Sequence, residues 1–191
     1  MRGPGASLTV EAVPELILPT DRLADSFAAA IDEFIAEGRG GPDDHSLLGE
    51  LIETLGPPVE PRTWIAGVLD LERRLTTDPP ASFVPSTTLW WTEGDTFLGR
   101  INIRHHLNDY LRELGGHIGY DVRPSARRRG HATAMLAAAL PRAAAFGIGK
   151  ALVTCDADNT GSRKVIERNG GVLEDRRGDK LRFWLPTAPA H

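Results

Sequence analysis

Apolar residues recur at three- and four-residue intervals along the first third of the chain, then switch to alternation. Leu23, Phe27, Ala30, Ile31, Phe34 and Ile35 keep helical spacing and stop before Gly38. Leu47, Leu48, Leu51, Ile52 and Leu55 form a second stripe, closed by Gly56-Pro57-Pro58. Trp64, Ile65, Val68, Leu69 and Leu75 form a third, ended by Asp78-Pro79-Pro80. A short strand is expected before them, near Leu8–Val13. Phe83–Thr92 and Phe97–Arg104 are rich in β-branched and aromatic residues, and Glu93-Gly94-Asp95-Thr96 between them reads as a hairpin turn. His117–Val122 predicts a strand stopped at Pro124. An alanine-rich helix should follow from about His131 to Phe146, with a kink or an early end at Pro141. Ala151–Thr154 reads as a strand, Ser162–Asn169 as a helix closed by Gly170-Gly171, and Leu181–Leu185 as a last strand. Helices, then a hairpin, then alternating strands and helices predict an α/β fold with a mixed sheet. Without repeats or a long linker, residues 8–186 are expected to form one domain.

Composition narrows the class. The 191 residues are 41% apolar and 25% charged, an ordinary globular balance that argues against disorder. A single cysteine, Cys155, excludes a disulfide scaffold and reads as a core thiol. No run approaches the ~20 apolar residues of a membrane span, and the N-terminal stretch has no apolar core of signal-peptide length, so a soluble cytoplasmic protein is expected. Trp90 and Trp91 should point to opposite faces of a strand, so one of them is expected to line a groove or a subunit contact such as a homodimer's, with Trp64 a further candidate.

Charge is segregated. From Glu11 to Glu60 twelve acids face only Arg22 and Arg39, whereas Val122–Lys150 carries six basic residues and no acid. That division suggests an anion held by the later segment and a cation received near the earlier one.

The segment Val122-Arg123-Pro124-Ser125-Ala126-Arg127-Arg128-Arg129-Gly130-His131-Ala132-Thr133 carries the chemistry. A strand ends, a basic turn with one glycine follows, and a helix begins at once. Unpaired backbone N–H groups and the positive end of the helix dipole then converge on one spot, a place for a pyrophosphate. The turn lacks the patterns of dinucleotide folds and P-loops. A plain connection with surface arginines remains the simpler alternative. Nucleic-acid binding is disfavoured by the acidic balance of the whole chain.

At these residues the sequence resembles the GNAT family of acyl-CoA N-acetyltransferases. The family's central motif, Arg/Gln-x-x-Gly-x-Gly/Ala after a strand ending in Val-x-Pro, is matched by Arg127-x-x-Gly130-x-Ala132 after Val122-Arg123-Pro124. Its second motif is similar to Asn159-Thr160-Gly161-Ser162 through Gly170. The resemblance implies a mixed, mostly antiparallel sheet flanked by helices. It makes residues of about 83–185 the acetyl-CoA-binding core and about 20–78 a substrate-side helical part. It implies acetyl transfer from acetyl-CoA, as co-substrate and without a metal, to a primary amine, with no nucleic-acid or membrane partner. Val122 would lie against the pantetheine arm, Arg127, Arg128, Gly130, His131, Ala132 and Thr133 around the pyrophosphate, and Asn159 and Ser162 near the pantetheine and the adenine-side phosphates.

Two positions depart from the family. Where many members carry a proton-donating tyrosine, seven residues after the Asn, this chain has Ile166, and Gly170-Gly171 replaces the usual closing Gly-Phe. A degenerate acyl-CoA-binding module without turnover therefore stays open. A base must take the proton of an alkyl ammonium near neutral pH. His117, at the start of the strand and on the face of Gly119 and Asp121, is the leading candidate, with Asp121 and Tyr120 behind it. Tyr120 or water would protonate the leaving thiolate. The run Asp156-x-Asp158-x-Thr160-Gly161 with Glu167 nearly matches a calcium loop, but it follows a strand and holds Arg163 and Lys164, so no metal is expected.

Overall fold

A computed structural model describes residues 12–41, 44 and 46–188. The chain runs β1 (Glu15–Ile17), α1 (Ala24–Ala36), α2 (Leu47–Leu55), α3 (Pro61–Thr77), β2 (Ser86–Glu93), β3 (Thr96–Arg104), β4 (Ile118–Val122), α4 (His131–Ala145), β5 (Lys150–Asp156), α5 (Thr160–Arg168), β6 (Val172–Arg177) and β7 (Lys180–Pro186). The strand expected near Leu8–Val13 falls mostly outside the described residues; Ala12 and Val13 are not in a strand, and β1 starts at Glu15. The seven strands form one sheet in the order β1-β2-β3-β4-β5-β7-β6. Every neighbouring pair is antiparallel except β4 and β5. This is the mixed, mostly antiparallel sheet flanked by helices that the sequence implied.

Both faces of the sheet are covered, which settles the tryptophans. Trp91 packs with Ile101, Ile103, Met135, Leu136 and Phe183 in a core that α4 and α5 close. Trp90 packs with Phe27, Phe34, Ile65 and Phe97 in a second core under α1, α2 and α3. The strand alternation holds, but each side chain meets its own apolar layer, and both are buried, at 0% and 5% exposure. Trp64 is buried too, its indole N–H donating to the Gly56 carbonyl at 2.9 Å. The expectation of a groove-lining or subunit-contact tryptophan is therefore corrected. Phe27 stacks on Trp90 with 4.4 Å between centroids and meets Phe97 edge-on, the offset and T-shaped arrangements that aromatic quadrupoles favour.

α4 continues through Pro141 to Ala145, against the early end that was one of the two outcomes expected there. Pro141 and Ala137, whose carbonyl loses its partner, both face solvent, so water can serve that oxygen. The edge strand β6 was not foreseen, because Val172 and Leu173 are exposed and the rest of it is charged. Its pairing with β7 supplies what its pattern does not.

The charge segregation is answered in part inside the molecule. Glu33 of α1 accepts from Arg123 at 2.7 Å and from the Ser125 backbone N–H at 2.9 Å. Glu37 pairs with Arg127 at 2.8 Å. These acids hold the basic turn and are not free to greet a cationic acceptor.

The parallel β4–β5 pair meets in register only at Ile118 and Val153. Gly116 lies just before this junction at φ +66°, and a Cβ there would sit 2.6 Å from the Leu152 carbonyl oxygen. Gly116→Ala should combine left-handed strain with a backbone clash and lower stability by roughly 2 kcal/mol or more, read by urea denaturation.

Candidate active site

Past Ile118 and Val153 the two strands part, and a cleft of about 680 Å³ opens between them. Gly119, Tyr120 and Asp121 form one wall; Thr154, Cys155 and Asp156 form the other. The N-terminus of α5 brings Asn159 and Ser162 to the cleft. Asn159 caps that helix, its Oδ1 accepting from the Ser162 N–H at 2.9 Å. From the α1–α2 connection come Arg39, Asp44 and Ser46.

Tyr120 crosses the splay, its hydroxyl 2.6 Å from the Ser162 hydroxyl. Burial pushes the Tyr120 phenol up to about 12, although the Ser162 hydrogen bond works the other way. It is therefore a protonated hydroxyl at neutral pH. Ile166, where the sequence resemblance leads one to expect a tyrosine, is fully buried in the core. The phenol that reaches Ser162 thus comes from β4 and not from α5, while Tyr110 also lines the cleft. Burial also raises the Cys155 thiol, with the Asp156 charge adding to it, so Cys155 lines the cleft as a neutral group.

Arg39 ties the cleft's roof to its floor. Its guanidinium donates to Asp44 at 3.0 Å, to Ser46 at 2.5 Å and to Asp121 at 3.0 Å, and lies over the Phe34 ring. Burial disfavours the charged form of Asp44, but bonds from Ser46, Gly40 and Arg39 outweigh it and bring the carboxyl to about 2. Sequence reasoning missed this arginine. The signal was there, because Arg39 is one of two cations in a long acidic segment and stands among glycines.

The second half of the site is the turn into α4. Gly130 caps the helix at φ +87°, and Arg128 is also left-handed at φ +62°. No side chain caps α4, so its first N–H groups stay available for an anion, helped by the helix dipole. Arg128 and Arg129 are exposed beside them. Arg127 is engaged otherwise: Nε donates to the Val122 carbonyl at 3.1 Å and the terminal nitrogens bind Glu37. His131 accepts from the Trp91 indole N–H at 3.2 Å through Nδ1, and the Thr133 carbonyl accepts from Asn169.

The residues singled out in the sequence thus fall into two groups. Tyr120, Asn159 and Ser162 meet in the cleft. Arg128, Gly130, His131, Ala132 and Thr133 surround the start of α4, and the Val122–Arg127 contact joins the groups.

His117 belongs to neither. Its imidazole Nδ1 accepts the Leu152 N–H at 2.9 Å, while the His117 backbone N–H donates to the Leu152 carbonyl at 2.6 Å. It is 8% exposed, and burial, followed by the charges of Arg112 and Arg104, lowers its pKa to about 4. A ring whose acceptor nitrogen is occupied and which does not line the cleft is poorly placed to take a proton from substrate. His117 holds β4 to β5, and the expectation of a general base there is corrected.

A family model described as acetyltransferase (GNAT) domain matches residues 57–172. The chain belongs to the GNAT acetyltransferase family. No curated protein matches it in sequence. Among solved structures it is similar to Mycobacterium smegmatis RimJ in complex with CoA-disulfide, at 19% identity and a TM-score of 0.65, covering 92% of this chain and 82% of that one. It is similar to RimL, a ribosomal L7/L12 alpha-N-protein acetyltransferase in complex with coenzyme A, at 16% identity and a TM-score of 0.62, over 94% and 96% of the two chains. The microcin C7 self-immunity acetyltransferase MccE, in complex with acetyl-CoA and AMP, matches at 13% identity and a TM-score of 0.59, over 95% and 99%. At these identities the likeness establishes the fold.

A neutral buried His117 makes stability depend on pH. Its folded pKa is depressed, so only the unfolded chain takes the proton between about pH 6.5 and pH 4. Stability should be full above pH 6.5 and fall, by up to about 3 kcal/mol from this group, as pH drops toward 4. His117→Asn should be less stable at pH 7 and show a flatter denaturation profile across that window.

Proposed function

We propose that the protein transfers the acetyl group of acetyl-CoA to a primary amine, the nitrogen attacking the thioester directly in the cleft. The observation that carries this reading is the splay of β4 from β5 beside an uncapped helix N-terminus. Beyond Ile118 the backbone of β4 has no β5 partner in register, so a pantetheine arm can lie along residues 119–122 and use its amides as an added strand would. The pyrophosphate then meets the N–H groups of His131, Ala132 and Thr133, with Gly130 allowing close approach and Arg128 and Arg129 adding charge. Arg127 shapes that turn. Asn159 and Ser162 flank the arm at the other strand. Solved relatives that hold CoA or acetyl-CoA support the same cofactor here.

In the reaction a C–N bond forms and the C–S bond breaks; counted from the ammonium, the nitrogen sheds two protons, of which one ends on the thiolate and one is released to solvent. Tyr120, a protonated hydroxyl paired with Ser162, is the proposed donor to the thiolate. Asp121, the carboxylate of β4 that faces the cleft, replaces His117 as the proposed acceptor of the ammonium proton, directly or through water. A second reading, an acyl-CoA-binding module without turnover, is favoured by the burial of Ile166 where a tyrosine is usual.

Thiol release from acetyl-CoA with a panel of small amines and peptide N-termini separates the two readings; binding of CoA without release across the panel would favour the module. Tyr120→Phe should lower kcat by about tenfold or more with CoA affinity unchanged. Gly130→Val should weaken CoA binding, measured calorimetrically, by about tenfold or more, roughly 1.4 kcal/mol. Unaltered CoA affinity in a folded Gly130→Val variant would sink the assignment of the turn.

A further inference from the structure

A second pocket, of about 330 Å³, lies between α2, α3 and the β2–β3 hairpin, on the face of the sheet that the N-terminal helices cover. Its walls are apolar, with Leu51, Leu71, Leu75 and Phe83 among them, and its floor is polar. Asn102 donates to Ser86 at 3.1 Å and to Thr88 at 3.0 Å. Thr88 in turn bonds Glu72. Beside them is Arg100, 5% exposed, whose Nε finds no hydrogen-bond partner among the described residues. Glu72 Oε2 is buried and unpartnered as well.

The charge on this floor is under-compensated. Asp121 Oδ2 is the one described carboxylate within 4 Å of Arg100, at 3.8 Å, and Asp121 makes its closer contact with Arg39 at 3.0 Å. Burial pushes the Glu72 carboxyl up, toward its neutral form, against the pull of Arg100 and Thr88. The Arg100 guanidinium thus has one long, shared ion pair and an Nε without a hydrogen-bond acceptor among the described residues, and so incomplete a pairing of a buried charge is costly. We propose that this pocket binds a small carboxylic acid with an apolar body, the carboxylate on Arg100 and the body against Leu51, Leu71, Leu75 and Phe83. The volume, at the low end for ligand pockets, suits a body of modest size. A phosphate fits less well: Arg74 at the rim is exposed and held by Asp70, so its second charge would have no further buried cation, and its hydration would be lost against leucine walls.

The carboxylate can belong to a separate effector or to the amine acceptor itself, because Arg100 lines this pocket while its neighbour Asp121 lines the cleft. The test reads binding to the full chain without acetyl-CoA, so it stands apart from the transferase reading. Calorimetric titration with phenylacetate and hexanoate is compared with phenylacetamide and hexanamide. The acids should bind at least about tenfold more tightly than the amides. Arg100→Met, which keeps bulk and removes charge, should bring the acids to the level of the amides. Leu75→Trp, which fills the pocket from its half-exposed rim, should weaken acids and amides together, and it decides the matter should Arg100→Met fail to fold. Competition of the bound acid with the best amine in turnover assigns the carboxylate to the acceptor; an effect on rate without competition assigns it to an effector. Equal binding of acid and amide, no binding at millimolar acid, or acid binding untouched by Leu75→Trp overturns the proposal.

Discussion

Everything in the site follows from how little holds β4 to β5. Ile118 and Val153 are the one pair in register, and just before them both the backbone and the ring of His117 grip Leu152. Parallel strands bonded along their length would bury the slot between them. Here the bond is concentrated at one end, so the other end is free to diverge without the sheet coming apart. β7 secures β5 from the far side through seven residues in register, and β3 secures β4 through five. The splay is thus an opening inside a sheet that is firmly paired everywhere else.

The helical layer does two jobs at once. It supplies a second core, with Trp90 at its centre, and it carries the carboxylates that hold the basic turn. Two of the acids and two of the arginines that look segregated along the chain are therefore paired in space. Such pairs at the surface are worth little singly, but the Glu33 contacts are half-buried and fix Arg123 together with the Ser125 backbone. The turn that presents N–H groups to an anion is braced from behind by acids.

Most of the fold was legible in the sequence, because helices and strands in this chain keep their periodicities and are punctuated by glycine and proline. What escaped were elements whose stability is borrowed from neighbours. β6 exists by pairing with β7, and the single π-turn at Leu111–Gly115 has no periodic signature at all. Pro141 misled because proline's disruption depends on where the orphaned carbonyl points. At the site, the α4 turn was readable from a local motif, since glycine and helix start lie together in sequence. His117 was misread because alternation gives the face of a strand but not what the ring touches; the Leu152 amide that claims Nδ1 lies 35 residues away. Arg39 was missed for the same reason, since its partner Asp121 is distant by 82.

The bracing of the basic turn by α1 has a consequence for how this chain can be altered or recombined. Glu33 and Glu37 sit before residue 57, where the match to the family begins, yet they grip the residues that would cradle an anion. The front helices are thus not an exchangeable cap that changes only what is recognised. A chimera that kept the core and took its helices from another relative would leave Arg123 and Arg127 unbraced in place of a shaped cradle. Two carboxylates, spaced one helical turn apart, would have to travel with the core for the graft to work.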